Sequence, residues 1–75
     1  MYQLEWYDFK KDIGIGLIND IVYSDLEIAV KDAKEIFIHQ TSNDKERISV
    51  LVNKIDKNGE IIQRVDEIGG VNYEI

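Results

Sequence analysis

Apolar and polar residues alternate with a period of two over much of this chain, and the period lengthens to that of a helix only between residues 24 and 40. There Leu26, Ala29, Val30, Ala33, Ile36 and Phe37 recur three and four positions apart. At about 100° per residue they share an arc of roughly 120°, wide enough for one buried face. Ala29 and Ala33 are small and predict close approach to whatever lies beneath. Glu27, Lys31, Asp32, Lys34, Glu35 and His39 fall on the opposite side, and Ile28 and Ile38 lie off the buried stripe. Ser24 is expected to cap the helix, with Glu27 three residues later closing a capping box. Asp25 and Glu27 complement the positive end of the helix dipole. Thr41-Ser42-Asn43-Asp44 favours local turns and should end the helix.

The period of two predicts strands on either side. In Tyr2-Gln3-Leu4-Glu5-Trp6-Tyr7, Tyr2, Leu4 and Trp6 should face the helix, and Gln3, Glu5 and Tyr7 should face away. Ile13-Gly14-Ile15-Gly16-Leu17 alternates with glycine on one face, and Ile21-Val22-Tyr23 continues toward the helix. One bent strand over residues 13–23 is expected, two short pieces being the alternative. After the helix, residues 47–55 form the strongest strand pattern, apolar on both phases as a central strand would be. Asp56-Lys57-Asn58-Gly59 is a hairpin signal, because Asn and Gly tolerate positive φ. Residues 60–66 return antiparallel, Gly69-Gly70 permits another reversal, and residues 71–75 alternate as a short last strand. The expected fold is two-layer α+β: one helix packed on an antiparallel sheet of four to five strands, in the order β-β-α-β-β-(β), as a single domain over residues 1–75.

Composition narrows what such a domain can do. At 75 residues a chain buries only about 60% of its unfolded surface, and this one has no cysteine to staple it. No apolar run approaches a membrane span and no basic-then-apolar leader opens the chain, so a soluble, cytoplasmic protein without a membrane partner is expected. Nine basic against fifteen acidic residues give a net charge of -6. That charge repels phosphate backbones, argues against direct nucleic-acid binding and favours a protein partner with a basic surface.

Catalytic chemistry is not expected. His39 is the only histidine, and the serines are Ser24, Ser42 and Ser49, placed as a cap, a turn and a strand residue. A triad or a zinc centre lacks its components, so no catalytic, metal or cofactor site is assigned. Gly14-Ile15-Gly16 lacks the further glycine, the Gly-Lys-Ser/Thr and the following helix of a phosphate loop. Asp56, Asn58 and Glu60 echo a calcium loop, but Ile61 stands where that loop needs glycine.

Two surfaces remain for partner binding. One is an acidic face, with Asp25, Glu27, Asp32 and Glu35 as candidate contacts and Asp20 nearby. The other is the sheet face away from the helix, with candidates Tyr7, Leu51, Ile55 and Arg64, joined by Ile62, Glu5 and Asn53. The short first strand, the entry into the helix at Val22-Tyr23-Ser24-Asp25 and the Asn58-Gly59 hairpin resemble the layout of small phage- or mobile-element-encoded proteins, among them anti-CRISPR inhibitors. That resemblance implies a non-catalytic inhibitor occupying a partner's nucleic-acid-binding surface. The expected function is a small acidic protein-binding regulator or inhibitor, monomeric or homodimeric. The alternatives are a self-associating structural module and, ranked lower, a sheet-face nucleic-acid-binding domain.

Overall fold

A computed structural model describes residues 1–40 and 46–70. Four strands and one helix follow in the order β1 (Tyr2–Asp8), β2 (Ile13–Leu17), α1 (Leu26–Gln40), β3 (Ile48–Ile55) and β4 (Ile61–Ile68). The strands form one antiparallel sheet in the spatial order β2-β1-β3-β4, and α1 packs on one face of it, mainly against β3. This is the two-layer α+β fold that the periodicity predicts. The expected last strand, over residues 71–75, and the turn at 41–44 lie outside the described residues.

The core lies between helix and sheet. Ala29, Ala33 and Phe37 from α1 meet Leu4, Val50 and Val52 from the two central strands, and Tyr23 closes the cluster. The alanines let the helix axis come close, and Phe37 fills the space beside them. Its complete burial contributes about 2–3 kcal/mol of transfer free energy. Tyr2, Trp6, Val30, Ile36, Val65 and Ile68 pack around this centre half-exposed. Leu26 belongs to the same stripe but opens the helix and stands 36% exposed. The helix starts one residue later than expected. Asp25, not Ser24, is the cap: its Oδ1 accepts the Glu27 N–H at 2.8 Å, and its carbonyl accepts the Ala29 N–H at 3.1 Å.

Every residue of β3 except Lys54 is buried, as expected for the strand with apolar residues on both phases. Its partners run in register on one side, from Tyr2↔Lys54 to Asp8↔Ile48. On the other side two bulges interrupt the ladder, at Val65 and Ile62 of β4. Another sits at Ile15 of β2. Gly14 lies opposite Tyr7 and Gly16 opposite Trp6, so the two glycines face opposite sides of the sheet. The expected one-sided glycine pattern fails because the bulge shifts the phase by one residue.

Residues 13–23 form two pieces, not one bent strand. β2 ends at Leu17, the Ile18 N–H still reaches the Leu4 carbonyl at 3.1 Å, and the chain then loops out. It returns at Tyr23, which exchanges two 2.8 Å hydrogen bonds with Tyr2. Asn19 drives the excursion by accepting the Ile21 N–H on its own side chain. The β3–β4 hairpin turns where expected, but only Gly59 has a positive φ (83°); Asn58 does not. The Asp56 side chain organises the turn instead, accepting the N–H groups of Asn58 and Glu60 at 2.8 and 3.0 Å.

Gly69 is constrained twice. Its φ is 97°, and a Cβ placed there would lie 2.6 Å from the Phe37 ring. Gly59 shares the positive φ but has open space around it. Gly69→Ala should therefore destabilise the fold by at least about 2 kcal/mol, against about 1 kcal/mol for Gly59→Ala. Urea unfolding of the two variants tests the ranking, and equal losses would contradict the assigned contact with Phe37.

Candidate interaction surface

The sheet face away from the helix is not an open apolar patch. Tyr7, Leu51 and Ile55 lie there as the alternation predicts, yet they are 8%, 2% and 5% exposed; of the four candidates only Arg64 reaches the surface. The register explains the burial. Tyr7 sits beside Ser49 and Arg64 beside Asn53, on opposite sides of β3. The Arg64 guanidinium nevertheless lies 4.7 Å from the Tyr7 ring centroid, so the pair spans β3 at the level of Leu51 and covers it. Asn53 Nδ2 donates to Glu5 Oε1 at 2.8 Å, and Ser49 Oγ donates to Glu67 Oε2 at 2.7 Å. The Tyr7 hydroxyl donates to Asp12, and this bond, with desolvation, raises its pKa above 10.0 against the opposing pull of Arg64. Among the described residues no buried side-chain nitrogen or oxygen lacks a partner. Long polar side chains thus form a second, thin layer over this face.

The acidic face is also divided. Asp25 is spent on the helix cap. Asp32 is half-buried and accepts the Tyr23 hydroxyl at 2.9 Å, which ties the returning loop to the helix. Glu27 and Glu35 are exposed, but at about 100° per residue Lys31 projects between them. An open groove along this flank, floored by Leu26 and Val30, is edged by Glu27, Lys31, Lys34 and Glu35, whose charges cancel. The structure does not gather Asp25, Glu27, Asp32 and Glu35 into one negative surface.

What it does gather lies on residues 13–26. Of the eleven large apolar side chains exposed among the described residues, six belong to this stretch: Ile13, Ile15, Leu17, Ile21, Val22 and Leu26, from 36% to 56% exposed. β2 is an outer strand of the sheet, and all five of its residues are exposed. No basic residue occurs between Lys11 and Lys31, whereas Asp12, Asp20, Asp25 and Glu27 do. Six exposed apolar groups therefore coincide, along one edge of the sheet, with the acidic Asp20 and Asp25 and with no basic residue of the same stretch. The signal was present in the sequence as a long run without lysine or arginine. The alternation that predicts a strand over residues 13–23 does not distinguish a covered strand from an exposed outer one.

His39 is exposed at the end of α1. Arg47 Nε lies 3.3 Å from the buried Asp8 carboxylate, whose other oxygen accepts the Lys10 and Lys11 N–H groups. Among the described residues no three His, Cys, Asp or Glu side chains are grouped to hold a metal ion, and no helix is long and apolar enough to cross a membrane. Comparison with known protein families, curated proteins and solved structures gives no match.

Two substitutions separate structural from surface roles. Leu51→Ala should cost about 2–4 kcal/mol in urea unfolding, as at any filled core site, despite lying on the face without a helix. Tyr23 is buried, and desolvation together with its bond to Asp32 raises its pKa above 10.0. Folding then favours the protonated phenol. The stabilisation is complete below about pH 10 and is lost as pH rises through the higher folded value. Tyr23→Phe should be about 1 kcal/mol less stable than the parent near neutrality, with the gap narrowing above about pH 10. A gap that widens with pH would refute the assignment.

Proposed function

We propose that this chain is a small, non-catalytic protein-binding regulator or inhibitor, and that it engages a basic protein surface through the edge formed by residues 13–26. The observation that carries this reading is the coincidence of six exposed apolar side chains with acidic residues and no basic ones along that stretch. Apolar groups supply association free energy through burial, and the acidic rim selects a positive partner and speeds encounter. A basic surface with apolar content is what a nucleic-acid-binding protein presents to its own ligand. Occupying it would block that ligand by competition. The resemblance of the layout to phage-encoded inhibitors of the anti-CRISPR kind is the ground for placing the partner in a host defence system and the protein in the cytoplasm. The net charge of -6 supports a protein partner over nucleic acid itself.

The test compares capture by the parent chain with capture by two edge variants, Val22→Ser and Asp20→Lys, both at exposed positions. The parent should retain a basic protein from the native host's lysate, and a DNA or RNA oligonucleotide should displace it. Each variant should lose at least about tenfold in affinity with its thermal unfolding unchanged. Unaltered capture by both variants would remove the edge from the binding surface. Direct retardation of a labelled oligonucleotide by the chain alone would favour nucleic-acid binding instead.

A further inference from the structure

The outward side of α1 carries Ile28, Lys31, Glu35 and Ile38, spaced three, four and three residues apart. That spacing is the a-d-a-d seam of a coiled coil. At about 100° per residue all four lie within about 40° of the line directly opposite the buried Ala33. Ile28 and Ile38 are 52% and 51% exposed, and Lys31 and Glu35 are exposed between them. Among the described residues neither Lys31 nor Glu35 makes an ion pair within the chain, and nor do Glu27 and Lys34 on the flank.

The order of these residues is complementary to itself in reverse. We propose that this face pairs antiparallel with the same face of a second copy, about a two-fold axis at the level of Ala33. Ile28 then meets the partner's Ile38, and Lys31 meets the partner's Glu35, with each contact made twice by symmetry. Outside the seam, Glu27 lies on the side that presents the partner's Lys34. Lys31, Glu35, Glu27 and Lys34 therefore each face an opposite charge across the seam. A parallel pairing in register would instead set Lys31 against Lys31 and Glu35 against Glu35. The two outer strands among the described residues are poorer candidates for self-association. Both β2 and β4 carry bulges, which interrupt the regular spacing that strand-to-strand pairing needs.

The contact is short. α1 has 15 residues and spans about 22 Å, so the dimer is weak and concentration-dependent, and the charged centre sets its register more than its strength. The proposal uses a different face from the edge at residues 13–26 and does not depend on the function assigned to it. A two-fold pair would carry two copies of that edge.

Sedimentation equilibrium of the full chain between about 10 µM and 1 mM tests the pairing. The weight-average mass should rise toward twice the monomer value. Lys31→Glu alone and Glu35→Lys alone should each weaken association by at least about tenfold, because each sets like charges together in both central layers. The double variant Lys31→Glu, Glu35→Lys should restore it. Thermal unfolding at low concentration should be nearly unchanged in all three, since both positions are exposed. A parent chain that stays monomeric to about 1 mM overturns the proposal. So does a dimer indifferent to the single reversals, or one that the double variant fails to restore.

Discussion

One strand buried on both faces, with one helix to cover it, is the constraint on which this structure turns. β3 must lie at the centre because its apolar residues occupy both phases, and α1 can shield only one of them. The other phase is shielded by side chains reaching across from β1 and β4. Arg64 and Tyr7 bridge over Leu51, while Glu5 and Glu67 each accept a hydrogen bond from a buried polar residue of β3. The solution is economical in chain length, and it is demanding in detail. A Cβ at Gly14 would fall 2.4 Å from a Glu5 oxygen, so a larger residue there would have to displace the end of the side chain that accepts from Asn53.

Sealing the second face with polar groups has consequences for the rest of the surface. It removes the patch that a single-sided sheet would otherwise present and leaves exposed apolar residues at the margins, above all along β2 and the loop that follows. The same loop is held at its far end by Tyr23, through the Tyr2 backbone on one side and Asp32 on the other. An edge fixed at both ends is preorganised, and preorganisation lowers the ordering cost of binding. The proposed interaction surface and the stability of the fold thus share residues: Tyr23 is core, while Ile21 and Val22 beside it point to solvent.

Much of the architecture was legible because it depends on local periodicity. The helix stripe from Ala29 to Phe37, the phases of β1 and β3, the centrality of β3 and the turn at Gly59 all follow from residue spacing and backbone preference. Local spacing is uninformative where one residue changes a phase or a choice. The bulge at Ile15 turned Gly14 and Gly16 to opposite faces, and the cap fell on Asp25 although Ser24 is an equally good capping residue. Asn19 bent the chain out of the sheet, so that residues 13–23 became two pieces.

The candidate surfaces were less legible than the elements that bear them. Composition and order by themselves determined the two-layer class, the face of the helix that is buried and the net negative charge, because each is a sum over residues or a regular spacing along the chain. The tertiary structure alone decided that Tyr7, Leu51 and Ile55 are covered, that Asp32 is tied to Tyr23, and that the exposed apolar groups collect on one edge. Those outcomes depend on which side chains from distant strands come to lie beside one another. Strand register and bulges set that, and neither is written in any single stretch of sequence.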